Sequence, residues 1–273
     1  MYLISKYCLI VFLIFSCTKI FAQEKVELIH ADSLSGSTEN GVTVRIASGN
    51  VQFKQGNITV YCNSATQYID QNKVELRGNV KMYQDTLSLF TSRGIYYGND
   101  KRATGENGVT LKDPNATLRA NSGVYYFNEA KAEFHGDVII VNPEYKITSS
   151  HLTYLRNTED SFAKGNVVVT TDSAVVTAEN IDFYKRQFKT FAYEKVVINS
   201  DSTIIYSDTL THYSDKKESY AAGNVKVESI NNNTVLFGNA LENYELKNYT
   251  KLSGNSKLVQ IDKKTPDTLY IYS

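Results

Sequence analysis

The 273-residue chain has no tryptophan, three prolines and three cysteines, and its 29 Lys+Arg balance its 29 Asp+Glu. Each scarcity excludes a class. Zero formal charge argues against a basic nucleic-acid binder and against an acidic solvating tail. Three cysteines cannot build the disulfide framework of a small secreted scaffold. Beyond the first residues, no window carries a sustained helical stripe with caps. His30, His135, His151 and His212 are scattered without metal-ligand spacing. No Gly-rich phosphate loop opens a helix, and no nucleophile elbow occurs. Neither catalytic residues, nor a cofactor, nor a metal site is therefore expected. What is plentiful is tyrosine (20) and phenylalanine (12), in a chain that is 42% hydrophobic. That is enough apolar matter for a core, and Tyr, Thr, Val and Ile suit a pleated, half-buried surface. The first expectation is an all-β protein.

Residues Met1 to Ala22 read as an export signal: Lys6, an apolar stretch from Tyr7 to Phe15, then small and polar residues ending at Ala22. The run is shorter than the about 20 residues of a membrane span. Cleavage after Ala22 removes Lys6 and Lys19 and no acidic residue, so the remainder turns slightly acidic. A competing site is Ile14-Phe15-Ser16-Cys17, which resembles a lipobox whose acylated Cys17 would anchor the protein to a membrane. Simple cleavage leaves Cys62 as the sole cysteine, and its expected role is a small buried hydrophobe.

The dominant feature is a repeat. From Val51, steps of 29 residues land on Val80, Val109, Val138, Val167, Val196 and Val225. Two residues later come Phe53, Met82, Leu111, Ile140, Val169, Ile198 and Val227; two earlier come Gly49, Gly78, Gly136, Gly165 and Gly223. Asn107 and Glu194 break the glycine column. Nine residues after each valine stand Val60, Leu89, Leu118, Ile147, Val176 and Ile205; seventeen after, Tyr68, Tyr97, Tyr126, Leu155, Tyr184 and Tyr213. Within a unit, Val51-x-Phe53 and Ile58-x-Val60 alternate as strands with one buried face do, and Gly-Asn pairs supply turns. One unit cannot bury its apolar face alone, so stacking must build the core. Residues 23–273 are expected to form one elongated domain of about eight units, the last incomplete. The sequence stops in mid-unit without a polar cap, as expected of part of a longer protein or of an edge meant for a partner.

These columns resemble the organic-solvent-tolerance (OstA-like) family, which includes the LptA-type periplasmic lipopolysaccharide-transport proteins. The Gly-Asn-Val strand and the segment from Thr59 to Tyr68, with counterparts at Ile147–Tyr154, Val176–Tyr184 and Ile205–Tyr213, carry the resemblance. It implies a V-shaped, open β-jellyroll, two antiparallel sheets around an apolar trough. It also implies a non-enzymatic periplasmic protein that shields lipopolysaccharide acyl chains on the way to the outer membrane. Phe53, Val60, Val80, Met82, Leu89, Leu111, Leu118, Ile140, Ile147, Val169, Val176 and Ile198 are then the candidate lipid-binding groove. Partners would be lipopolysaccharide and related transport proteins joined by strand addition, with head-to-tail self-association; nucleic acid is not expected.

The columns admit other readings. Inward Val, Ile and Phe would equally fill a closed core that binds nothing, and the period also suits a parallel β-helix solenoid with a structural or adhesive role. A polysaccharide-cleaving β-helix would need carboxylates gathered on one face. Asp32, Glu179 and Asp208 do share a column, but Asn63, Ser92, Asn121, Ser150 and Asn239 fill it too. Turn hydrogen bonding explains such a column better than acid–base work.

Overall fold

The computed structural model describes residues 24–39, 41–114, 116–261 and 267–272. The expected export signal, including Cys17 and Ala22, lies outside the described residues. Twenty strands follow one another: β1 (Glu27–His30), β2 (Ser33–Glu39), β3 (Val42–Gln55), β4 (Ile58–Tyr68), β5 (Lys73–Gln84), β6 (Leu87–Tyr97) and β7 (Arg102–Lys112). Then come β8 (Thr117–Ala120), β9 (Ser122–Tyr126), β10 (Lys131–Val141), β11 (Lys146–Leu155), β12 (Asp160–Thr170) and β13 (Ala174–Tyr184). The series ends with β14 (Lys189–Ser200), β15 (Thr203–Tyr213), β16 (Glu218–Ser229), β17 (Thr234–Tyr244), β18 (Tyr249–Ser253), β19 (Lys257–Ile261) and β20 (Thr268–Tyr272). Among the described residues the only helical pieces are single 3-10 turns at Lys185–Gln187 and Glu245–Lys247.

Every pairing is antiparallel and joins strands that follow one another, as in β4–β5, β5–β6 and β12–β13, or skips one short strand, as in β1–β3, β7–β9, β8–β10 and β17–β19. A parallel β-helix is thereby excluded. One 29-residue unit is one hairpin, so each unit adds two strands to the stack. At about 4.8 Å per strand the meander is roughly 75 Å long.

Strands β3, β5, β7, β10, β12, β14 and β16 are each bent once. In β5 the bend is Gly78-Asn79, both at positive φ (73° and 49°), and the register with β4 and β6 shifts between Arg77 and Val80. Two successive left-handed residues cannot stay in a ladder, so the strand leaves its plane and resumes it at an angle. Asn107-Gly108 (60° and 94°) and Glu194-Lys195 (64° and 58°), the exceptions to the glycine column, make the same bend. Glu194 and Lys195 do so at a conformational cost of about 1–2 kcal/mol per residue. Facing strands break opposite the bend: β1 and β2, β8 and β9, and β18 and β19 are each two halves of one bent strand.

The bends fold the meander lengthwise into two limbs. The first limb holds half-strands such as Val51–Gln55, which follows the bend of β3, and Ile58–Cys62, which precedes the break in β4; the second holds the others, such as Ala65–Tyr68 and Lys73–Leu76. On both limbs alternate residues point inward, giving burial that alternates along β12 and its neighbours. The buried side chains form a single core shared by the two limbs, with Phe53 and Met82 from the first and Leu76 and Tyr96 from the second. This single antiparallel sheet, folded lengthwise into two facing limbs, is the V-shaped jellyroll.

The column of Asp32, Asn63, Asn121, Glu179 and Asp208 lies beside the bends. Asn50 Nδ2 donates to Asp32 at 2.9 Å, Asn121 Nδ2 to Asp137 at 3.0 Å and Asn224 Nδ2 to Asp208 at 2.9 Å. Lys195 pairs with Glu179 at 3.1 Å, which holds that carboxyl below the usual range. These side chains brace the bends of successive units. Cys62 is buried and unpaired, and burial pushes its thiol up to about 11.

Candidate functional site: a groove that opens half-way along the fold

Inside the V each limb presents rows of residues running across all strands. The middle row of the first limb is apolar from end to end: Phe53, Val60, Met82, Leu89, Leu111, Leu118, Ile140, Ile147, Val169, Val176, Ile198, Ile205, Val227 and Leu236. What changes along the molecule is the row at the tips, where the limbs could meet.

In the first half the tips carry large side chains that reach across the mouth. Tyr96 donates to Gln55 Oε1 at 2.5 Å, and Gln55 Nε2 donates to the Gly98 carbonyl at 2.9 Å. The Arg156 guanidinium reaches Thr86 at 3.1 Å, and the Tyr154 hydroxyl donates to Asp113 Oδ2 at 2.7 Å. Burial, and then the Asp113 carboxylate, raise the Tyr154 phenol, so it stays a donor. The Tyr145 ring lies over Phe183, centroids 6.0 Å apart and planes 11° from parallel. Residues 24–26 form a strap over the N-terminal end. Val26 N–H donates to Asn72 at 2.9 Å, Gln67 donates to the Val26 carbonyl at 2.9 Å, and Gln55 donates to the Glu24 carbonyl. Behind these contacts the interior is packed, apart from a cavity of about 340 Å³ between Tyr154 and Tyr145.

Beyond Phe183 the tips turn small and polar. On the second limb the row continues Thr190, His212, Ser219, Asn243 and Thr250; on the first, Thr171, Ala174, Ser200, Thr203, Ser229 and Thr234. Their hydrogen bonds run along one limb and none of those described crosses the mouth. His212 Nδ1 meets Ser219 Oγ at 3.0 Å, Thr250 donates to Asn243 at 2.7 Å, and Ser200 donates to the Thr203 carbonyl at 3.0 Å. The floor residues Val176, Ile198, Ile205 and Leu236 are accordingly only half-buried. A cavity of about 320 Å³ lies here, lined by Val169, Val176, Ile181, Phe183 and Leu210, with Lys185 and Lys189 at its rim. The result is a groove with an apolar floor and a hydroxyl-rich lip, about 25 Å long from Val169 to Leu236 at the usual strand spacing.

The twelve candidate groove residues divide along this boundary. All twelve point inward. Phe53, Val60, Val80, Met82, Leu89, Leu111, Leu118, Ile140 and Ile147 lie in the closed half, the most exposed being Ile140 at 6%; of these, Leu111, Leu118 and Ile140 line a cavity within it. Val169, at 7%, begins the groove floor, and Val176 and Ile198 are open to it. Sequence reasoning missed the tip row, although the signal was present: Gln67, Tyr96, Tyr125, Tyr154, Phe183 and His212 are also 29 apart. The neighbouring tyrosine column that did stand out faces outward under cations, as in Lys73 over Tyr68 (4.3 Å) and Arg102 over Tyr97 (4.2 Å). Two histidines that look unrelated in sequence, His135 and His151, pair across β10 and β11 with ring centroids 5.1 Å apart.

A family model described as OstA-like protein matches residues 23–162, just over half of the chain. The chain belongs to the OstA-like family. Comparison with curated proteins gives no match. Among solved structures it is similar to LptH from Pseudomonas aeruginosa, described as the LptA-homologous periplasmic component of a lipopolysaccharide-transport device. That likeness has 13% identity and covers 58% of this chain and 94% of that one, with a TM-score of 0.26. The OstA-like match coincides with the half whose mouth is closed, and most of the open groove lies beyond it.

Proposed function

We propose that this OstA-like protein is a non-enzymatic carrier of lipopolysaccharide-type lipid in the periplasm, and that acyl chains occupy the open groove of its second half. The observation that carries the reading is the change in the tip row at Phe183, which leaves an apolar floor uncovered beneath a polar lip. Uncovered apolar surface of this extent is a binding surface more often than a neutral one. Each methylene taken out of water contributes about 0.8 kcal/mol, so some ten buried methylenes supply about 8 kcal/mol before ordering costs. The hydroxyls, amide and imidazole of the lip suit the ester, amide and sugar groups that join acyl chains to a glycolipid head. Lys185 and Lys189 stand where an anionic head group would pass. The carboxylates of the repeat column are engaged at the bends, which favours carriage over hydrolysis. Strand addition at an open edge is the mode by which such a sheet would join other transport components.

Photo-crosslinking residues at Val169, Val176 and Ile198 test the reading in cells. Adducts with lipopolysaccharide are expected at all three. Crosslinks to protein alone would reject it in favour of a structural or adhesive role without a lipid ligand.

A further inference from the structure

The groove does not run through the molecule, and the way it ends bears on where lipid can travel. Tyr145 immediately precedes β11 at the tip of the first limb, and Phe183 lies near the end of β13 at the tip of the second. Their nearly parallel stack at 6.0 Å spans the mouth. Asn142 fixes the tyrosine in place by accepting the backbone N–H groups of Glu144 (2.9 Å) and Tyr145 (2.8 Å) in a tight turn. On the far side of the stack is a second cavity of about 340 Å³, floored by Leu111, Ala116, Leu118 and Ile140. Glu144, Tyr145, Glu159 and Lys185 line both cavities, so the two are adjacent compartments with the stack between them. The second compartment ends at the Asp113–Tyr154 hydrogen bond, behind which lie the packed half and the strap of residues 24–26.

Resting on the lipid-carrier reading above, we propose that the Tyr145–Phe183 stack is the end wall of the lipid path. Cargo enters and leaves on the C-terminal side of Phe183. A carrier walled in this way is the terminus of a lipid path, not an interchangeable link within one, because no chain of uncovered apolar floor connects the groove to the N-terminal edge. The compartment lined by Leu118 is a latent extension of the groove, joined to it once Tyr145 leaves Phe183. The wall is apolar, so its ring faces cost nothing to present to an acyl chain, and its removal exposes more apolar floor and no unpaired charge.

The test uses the full chain mixed with lipopolysaccharide, with a photo-crosslinking residue at Val176, at Ala116 or at Phe53. Ala116 is half-buried and tolerates the larger side chain better than Leu118, which serves as a second reporter. In the parent, adducts are expected at Val176 and none at Ala116 or Phe53. In Tyr145→Ala the Ala116 adduct should appear, and Tyr145→Phe, which keeps the stack, should restore the parent pattern. Adducts at Ala116 in the parent, or an unchanged pattern in Tyr145→Ala, would overturn the end wall while leaving the carrier reading intact. Adducts at no position would overturn the carrier reading and the wall with it. Thermal unfolding of each variant shows whether the fold is retained.

Discussion

Tyr154→Phe removes one oxygen and tests whether the closed half is held shut at its tips. The lost bond is a phenol donating to a carboxylate at 2.7 Å, with Tyr154 only 9% exposed. Hydrogen bonds to charged groups are worth about 1.5–3 kcal/mol, and Asp113, half-buried at the mouth, places this one in the lower part, at about 1.5–2 kcal/mol. For a chain of this size that corresponds to a fall in Tm of about 3–8 °C. Asp113 also accepts the Ala116 N–H through its other oxygen at 3.0 Å, so Asp113→Ala alone would conflate two roles. Asp113→Asn keeps an acceptor for that turn, and the double-mutant cycle of Tyr154→Phe with Asp113→Asn isolates the contact between the limbs. Urea unfolding of the four proteins gives the coupling, expected at about 1 kcal/mol or more. Tyr184→Phe is the control, because that hydroxyl meets Asp182 on the outer face at 3.4 Å; its cost should stay within about 0.5 kcal/mol. A coupling under about 0.3 kcal/mol, the noise of additive distant sites, would refute the view that this contact ties the limbs together.

Four further outcomes follow from the same geometry. Gly165→Ala should destabilise by about 1–2 kcal/mol, since φ is +78° and the new Cβ would lie 3.0 Å from Ser150; Glu194→Gly should stabilise by about 1 kcal/mol, and urea unfolding reads both signs. Burial holds His212 below 6.5, so the unfolded chain takes up its proton first and stability falls as pH drops below 6.5 through the folded value; His212→Gln should flatten that part of the pH profile of Tm. Cys62, buried with its thiol near 11, should react with a thiol reagent at neutral pH only as fast as the protein unfolds, so rapid labelling of the native chain would contradict its placement.

The hairpin content and inward columns were legible in the sequence because strand alternation has a period of two and the 29-residue step preserves it. The Gly-Asn pairs, expected to be turns, are bends inside the strands, and even Glu194-Lys195, which departs from them in sequence, has the same geometry because its neighbours impose it. The closed half was not. Val60 and Val176 occupy equivalent columns and look alike, yet one is sealed and the other is open. The difference is made 41 residues away in sequence, where the tip of one limb offers Tyr96 to Gln55 and, further on, His212 to Thr171. A repeat shows which side of the sheet is apolar; whether two limbs meet depends on side-chain reach at positions that no local pattern links.

The central claim is that the uncovered floor between Val169 and Leu236 holds lipid. Mass spectrometry of lipid extracted from the purified protein, compared between the parent and Ile205→Asp, tests it most directly. Ile205 points into the groove and is half-buried, so a carboxylate there spoils the floor while still reaching water. The account predicts acylated glycolipid with the parent and its loss from Ile205→Asp, with the thermal unfolding of the packed half little changed. Equal lipid on both proteins, or none on the parent, would contradict it.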